Sequence, residues 1–451
     1  MIDIFKALSI IMLIGISLLV NDNLLAFICT VISLIIYIAI LKKENGQYLF
    51  ANIRFLFIVF LFLYTNSYPF IRLYLSEYIV ALDYLPVTNG TVERGMFLSN
   101  LFIMIYIVLS IWVKAFIANR TEKANEFFRA VKSYLINLEI RRYLLVFDLM
   151  ALVLCINYIN NILKSGVLDV IFSGVSRFEV IGMIEDQPYW VFMYFLVAYS
   201  CVIYTMTLNK IRFNDSKSRI MFLRISFLSL FWIIDILLGN RRLVSYILLY
   251  SIFYFIVTKK KKLSLSKVTL LISISIMFML IGYLRTAGFS FYSANIENVI
   301  NDSFGEFFVP INIFYYYLEN KVQLLYGSSY LTAVLFLVPR SIWPDKPMSL
   351  AVDFANYFGG TMGYGFNPIA EAYINFDLMF VVLLPIILVF LLLGVEALSK
   401  KSIPVYIFVY IETMNFNRGE FSSTLIEFMI MYISFLFLVI SQRKERWKGK
   451  I

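Results

Sequence analysis

Residues 378–395 read LMFVVLLPIILVFLLLGV, with no charged side chain between Leu378 and Val395. A helix that crosses the hydrocarbon core of a bilayer needs about 20 mostly apolar residues, and this stretch comes close to that unaided. Working outward from it, comparable runs occur at 5–20, 24–41, 50–68, 96–117, 143–163, 189–208, 221–238, 243–258, 268–284, 403–416 and 421–441. The shortest, 403–416, is the weakest member of the set. The sequence therefore predicts an all-α polytopic membrane protein of about 12 transmembrane helices. No motif repeats along the chain, and Lys259–Lys262 is its one low-complexity stretch.

Composition agrees with that pattern. Hydrophobic residues make up 61% and charged residues 15%, against about 45–50% and 25% for ordinary soluble domains. A length of 451 residues would suggest about three soluble domains. No soluble core could hide 44 Phe and 31 Tyr, but a bilayer can. The expected organisation is a single integral membrane domain over 1–451. The first apolar run, from Phe5, has only Lys6 beside it and no small-residue cleavage site, so it reads as a retained helix. Cys29, Cys155 and Cys201 all lie in apolar stretches without metal-ligand spacing and read as small core residues. The chain has no His, which removes imidazole as base, nucleophile or ligand. No metal site and no cofactor are expected.

Charge gives the bilayer a direction. The net charge is +10. With the N-terminus in the cytoplasm, the cytoplasmic connections, tails and adjoining helix ends hold 28 of the 39 Lys and Arg. They include Lys42 and Lys43, seven basic residues in 114–142, Lys210 to Arg224, Lys259 to Lys267, Lys400 and Lys401, and the Arg443–Lys450 tail. The positive-inside rule then places both termini in the cytoplasm and explains the basic balance without nucleic acid. One connection breaks the short-loop pattern: 285–377, 93 residues on the outer side between the ninth and tenth helices. Apolar stretches within it are too short or interrupted to span. At about 1.5 Å per residue, Leu331–Val338 reaches only about 12 Å. Interfacial or re-entrant helices are expected there, and whether 329–338 spans or re-enters stays open.

The outer side is biased toward arginine. Arg72, Arg94, Arg177, Arg241, Arg242, Arg285, Arg340 and Arg418 stand against Lys164, Lys321 and Lys346. A planar guanidinium fork suits bidentate recognition of phosphate or carboxylate. Gly239-Asn240-Arg241-Arg242 is a tight connection between helices, Arg285 directly follows a span, Arg340 lies in Val338-Pro339-Arg340-Ser341-Ile342-Trp343-Pro344-Asp345-Lys346-Pro347, and Arg418 lies in Arg418-Gly419-Glu420. The competing explanation is arginines snorkelling to lipid headgroups. Acids accompany them: Asp235 one turn before Gly239, and Glu412 and Glu427 on either side of Arg418. Acids inside spans face a cavity or a partner, and simple neutralisation of the arginines would account for Asp235 and Glu427. A last element, Gly363-Tyr364-Gly365-Phe366-Asn367-Pro368-Ile369-Ala370-Glu371-Ala372-Tyr373-Ile374-Asn375-Phe376, sets one acid among aromatics just before a span. Such aromatics suit sugar faces and equally an interfacial belt. Glu371 is the candidate general base, since partial burial among aromatics would raise its pKa toward neutrality, where a base works best.

Four of these elements together resemble the Wzy-type O-antigen and capsule repeat-unit polymerases: Gly239–Arg242, Arg285 after its span, Pro339–Pro347, and Pro368-x-x-Glu371-Ala-Tyr373-x-Asn375-Phe. The last two are the most specific, and the N-terminal half matches only in hydropathy and span number. The resemblance implies a metal-independent, GT-C-like membrane glycosyltransferase. It would act in the bacterial cytoplasmic (inner) membrane, with its site facing the periplasm or the extracellular side. Undecaprenyl-pyrophosphate-linked oligosaccharide would be its substrate, membrane lipid its surroundings, and a separate chain-length regulator an associated protein. Arg241, Arg242, Arg285, Arg340 and Arg418 would bind pyrophosphate, Glu371 would be the base, and Lys346, Tyr373 and Asn375 would contact substrate. Related ligases carry a functional outer-loop His that this chain lacks. A lipid-linked oligosaccharide flippase is the other competitor, but its class shows repeats and midplane polar sites that are not seen here.

Overall fold

The computed structural model describes residues 2–75, 85–117, 121–138, 144–165, 190–210, 216–237, 241–258, 308, 310–320, 323–334, 343, 349–357, 365–399 and 402–439. Every long regular element among them is a helix. In chain order these are α1 (Ile2–Val20), α2 (Asn23–Asn45), α3 (Ile53–Tyr74), α4 (Asn89–Ile117), α5 (Thr121–Ile136), α6 (Leu144–Lys164), α7 (Trp190–Lys210), α8 (Ser216–Leu237) and α9 (Arg241–Thr258). There follow α10 (310–320), then α11 (Ser328–Val334), α12 (Leu350–Tyr357), α13 (Pro368–Phe376), α14 (Phe380–Ser399), α15 (Ile403–Phe416) and α16 (Phe421–Leu438).

Among the described residues, seven stretches are helical, long and apolar enough to cross a membrane: Asn23–Ala51, Ile53–Tyr74, Asn89–Ala115, Val146–Lys164, Phe192–Asn209, Pro368–Leu398 and Phe421–Leu438. Three shorter apolar helices join them, Phe5–Val20, Arg242–Thr258 and Ile403–Phe416. The expected run 221–238 falls on α8, whose Arg224 and Asp235 dilute its hydropathy. The expected span 268–284 and about half of 285–377 lie outside the described residues. Within 285–377, the described residues include the helices α10 to α13.

The chain divides into two compact units. The first comprises Met1–Phe127, Ser303–Lys401 and Glu412–Ile426. In it α4 packs against α1, α2, α3 and α14. Local chemistry fixes where these helices begin. Asp22 caps α2 by accepting the Leu25 amide at 2.7 Å, and Asn52 caps α3 by accepting the Phe55 amide at 3.1 Å. A 3-10 turn at Gly46–Ala51, entered through Gly46 at φ 53, separates the two. The third span therefore starts at Ile53, not at residue 50. Polar groups inside this unit are paired across helices. Arg54, 3% exposed, donates to Glu396 at 2.7 Å and to Glu44 at 3.1 Å, and Glu44 also pairs with Lys114. Two cations and two acids thus neutralise each other where α2, α3, α4 and α14 meet. Removing one member would leave an uncompensated charge in a low dielectric.

The second unit comprises Phe128–Asp302, Ser402–Ile411 and Glu427–Ile451. Here α7 packs against α6, α8 and α9. Trp232 donates to Ser200 at 2.9 Å, Thr205 and Tyr250 share a 2.8 Å hydrogen bond, and Asp148 pairs with Arg224 while accepting from Tyr199. The basic segment after α4 holds a helix, α5, that hydropathy does not reveal. Its Phe128, Val131 and Leu135 are buried at helical spacing. Asn209 of α7 donates to the Leu135 and Ile136 carbonyls at 2.7 and 3.2 Å, which satisfies groups at the end of α5 that the helix itself leaves open.

Candidate functional site

The segment richest in candidate chemistry begins at Asn367. Its side chain accepts the Ile369 amide at 2.8 Å and caps α13, with Pro368 at the first helical position. The helix stops at Asp377, whose φ of 51 leaves the helical region. Glu371 and Asn375 lie four residues apart on one face, and each is 1% exposed.

Two remote segments converge on that face. Ser329 of α11 donates to Glu371 Oε1 at 2.8 Å. The Phe421 amide, at the start of α16, donates to Glu371 Oε2 at 2.8 Å. Asn375 Nδ2 donates to Ser329 Oγ at 2.9 Å and to the Glu371 carbonyl at 2.7 Å, while its Oδ1 accepts the Gly327 amide at 2.8 Å. Among the described residues, no cation pairs with the Glu371 carboxylate. Its two oxygens are met by hydrogen-bond donors, one of them at the positive end of a helix.

The turn between α15 and α16 is sewn to the same region. Asn367 Nδ2 donates to the Asn417 carbonyl at 3.3 Å, and the Arg418 amide donates to Asn415 O at 3.0 Å. Gly365 passes so close to this turn that a Cβ there would stand 2.7 Å from the Arg418 carbonyl oxygen. A Cβ on Gly419 would lie 3.0 Å from Thr424 Oγ1 and 3.1 Å from Asn415 O. The Arg418 backbone is therefore held on both sides. Glu420, 3% exposed, accepts the Leu350 amide at 2.5 Å and so caps α12. Burial pushes its carboxyl above the usual carboxylate range.

Aromatic rings line the edge of this cluster. Tyr330 stacks on Phe376 with centroids 5.9 Å apart and 10° between planes, and tilts against Phe421 at 5.7 Å. All three rings are half-buried. Tyr373 sits deeper, edge-on to Phe314 at 5.4 Å and to Phe380 at 6.0 Å.

Arg242 belongs to the second unit. It pairs with Glu427 at 2.8 Å and donates to Tyr194 at 2.7 Å, while Tyr246 donates to Glu427 at 3.3 Å. In the same unit Tyr158 donates to the fully buried Asp235 at 2.7 Å. Arg241 opens α9, but its side chain lies outside the described residues, as do Arg285, Arg340 and Lys346. The structure thus gathers Glu371, Asn375 and the Arg418 turn, named from sequence, with Ser329 and Tyr330, which were not. The only local signal for those two was the turn at Gly327-Ser328-Ser329-Tyr330. Among the described residues, no three His, Cys, Asp or Glu side chains stand together as metal ligands.

These observations define an integral membrane protein whose segments between helices gather acid, amide and aromatic groups, a combination suited to work on polar groups presented at a membrane. Over residues 3–450 the chain matches the family described as O-antigen polysaccharide polymerase Wzy, and it belongs to that family. Its activity is accordingly the polymerisation of O-antigen repeat units, a glycosyltransferase-like reaction on lipid-linked oligosaccharide in the membrane. No curated protein and no solved structure matches the chain.

Proposed function

We propose that the chain transfers a growing glycan from undecaprenyl pyrophosphate to a hydroxyl of a new lipid-linked unit, without a metal, at the outer face of the cytoplasmic membrane. Glu371 is the general base in this reading. The observation that carries it is the 2.8 Å hydrogen bond from the Phe421 amide to Glu371 Oε2, which joins the acid to the turn that bears Arg418. The acceptor oxygen forms a bond to the anomeric carbon as the bond from that carbon to pyrophosphate breaks. The acceptor proton passes to Glu371, and undecaprenyl pyrophosphate leaves with the bonding pair. An ionised carboxylate has about four acceptor positions. Two are filled here, by Ser329 and Phe421, which leaves capacity for the acceptor hydroxyl. Arg241, Arg242, Arg285, Arg340 and Arg418 are proposed to hold the pyrophosphate, where preorganised guanidinium groups offset developing charge. Lys346 is proposed to help place the substrate. The half-buried rings of Tyr330, Phe376 and Phe421 offer faces to a sugar.

The same reading keeps about 12 spans over a single 1–451 membrane domain, both termini in the cytoplasm, 285–377 outside, and a separate chain-length regulator as partner. Asn375 takes a changed part in it: its side chain is buried and bonded to Ser329 and Gly327, so it supports the site from within. Tyr373 is proposed to contact substrate.

The test is complementation of a deletion strain, with the surface glycan resolved on a gel. Glu371→Gln should leave single repeat units while the protein stays at wild-type level in the membrane. A normal ladder from that variant would remove Glu371 from the chemistry. Purified protein should elongate pyrophosphate-linked units in the presence of a chelator. A requirement for added divalent cation, or equal use of monophosphate-linked units, would overturn the metal-free or pyrophosphate part of the reading.

A further inference from the structure

We propose that Ser329, held in turn by Asn375, is a positioning residue that fixes the plane and orientation of the Glu371 carboxylate. The inference rests on the reading of Glu371 as base.

The direction of the hydrogen bonds follows from donor chemistry. An amide nitrogen only donates. Asn375 Nδ2 lies 2.9 Å from Ser329 Oγ, so the serine oxygen is the acceptor there. Its single proton is then available for Glu371 Oε1, 2.8 Å away. The relay runs Asn375 to Ser329 to Glu371 and ends on a carboxylate that accepts. It matches the ionised form, which is the form a base needs before it takes a proton.

Geometry adds a second argument. The terminal torsion of a glutamate is broad, so one hydrogen bond leaves the carboxylate free to rotate. Here each oxygen has its own donor, Ser329 on Oε1 and the Phe421 amide on Oε2. Two donors on two oxygens fix the plane. The Phe421 amide is backbone and serves α16 whatever else happens. The Ser329 hydroxyl is the side chain through which orientation is set.

Ser329 is itself tied to the helix it serves. The Leu325 amide donates to the Ile374 carbonyl at 2.8 Å, and Asn375 Oδ1 accepts the Gly327 amide. Gly327 has a φ of 87, a conformation that suits glycine. Asn375 therefore holds both the turn that delivers Ser329 and the hydroxyl it delivers. Connected hydrogen bonds of this kind strengthen one another in a buried setting.

The experiment uses full-length protein in lipid nanodiscs with a synthetic pyrophosphate-linked repeat unit, and measures kcat and KM for a set of variants. Ser329→Ala should lower kcat by roughly ten- to a hundredfold, the weight of a hydrogen bond to a charged group, with KM unchanged. Ser329→Cys, close in size but a weak donor, should fall as well. Ser329→Thr, which keeps the hydroxyl, should recover most of the loss. Asn375→Leu should lower kcat too, and the double variant with Ser329→Ala should lose little more than the worse single one, because the two act as a unit. Wild-type kcat in both Ser329→Ala and Ser329→Cys, or a change confined to KM, would overturn the proposal. If Ser329→Ala does not accumulate, the Ser329→Cys and Ser329→Thr pair decides it. Glu371→Gln separates the two readings. An inactive Glu371→Gln beside fully active Ser329 variants leaves the base and refutes the positioning. An active Glu371→Gln refutes the base itself.

Discussion

Gly365 offers a direct test of how rigidly the Arg418 turn must be held. In Gly365→Ala the new Cβ would stand 2.7 Å from the Arg418 carbonyl oxygen. Ordinary contact begins at 3.4 Å, so something must move by about 0.7 Å. The obstacle is backbone, and it is hydrogen-bonded through its neighbours to Asn415 and Asn367. It cannot swing aside as the end of a long side chain would. Overpacking of this kind costs about 1–3 kcal/mol. A displacement approaching 1 Å in groups that position a reaction costs roughly a hundredfold in rate. The expected outcome is a glycan ladder collapsed toward single repeat units, with the protein still in the membrane and its melting temperature in detergent lowered. Gly394→Ala is the control. Gly394 lies within α14 with nothing within 4 Å of its added Cβ, and alanine should stabilise that helix by about 0.5–1 kcal/mol. A normal ladder and an unchanged melting temperature in Gly365→Ala would show that the turn gives freely, and the argument for a pinned Arg418 would fail.

Other outcomes follow from the same structure. A Cβ on Gly95 would collide with the buried Tyr315 ring and come within 3.2 Å of Phe314, so Gly95→Ala should destabilise by about 1–3 kcal/mol in a detergent melt; an equal or higher melting temperature would refute this. Arg54→Met should cost about 3–5 kcal/mol, because Glu44 and Glu396 lose the guanidinium they share. A melt indistinguishable from wild type would mean that the cluster contributes nothing net. The Glu420 carboxyl is raised by burial, so its neutral form is favoured in the folded chain. Its contribution to stability is therefore present at low pH and is lost as pH rises above the ordinary carboxylate range. Between about pH 5 and about pH 8, wild type should lose more thermal stability than Glu420→Gln; parallel pH profiles would contradict the burial effect.

What could be read along one dimension was the membrane character. Runs such as 378–395 and 403–416 fall on α14 and α15, because hydropathy is a local property and a spanning helix satisfies its own backbone. Contacts between distant residues were hidden. Arg54, Lys114 and Arg224 look like cytoplasmic topology charges when counted by side. In the fold they pair with Glu44, Glu396 and Asp148, the Arg54–Glu396 pair spanning 342 residues. The helix α5 escaped notice because its charged face outweighs Phe128, Val131 and Leu135 in any average. At the candidate site, Glu371 stood out as one acid among aromatics. Ser329 did not, since a lone serine has no signature until the fold sets it 2.8 Å from a carboxylate.

The bond between Phe421 and Glu371 has a consequence in time as well as space. Glu371 leaves the ribosome 50 residues before the amide that holds its Oε2. Until α16 follows, that oxygen lacks its partner and the carboxylate plane is free to turn. A chain that has inserted its earlier helices but not yet delivered Phe421 would already face substrate lipids without an organised acid. On the reading of Glu371 as base, glycan joining would begin only after the closing helix has arrived.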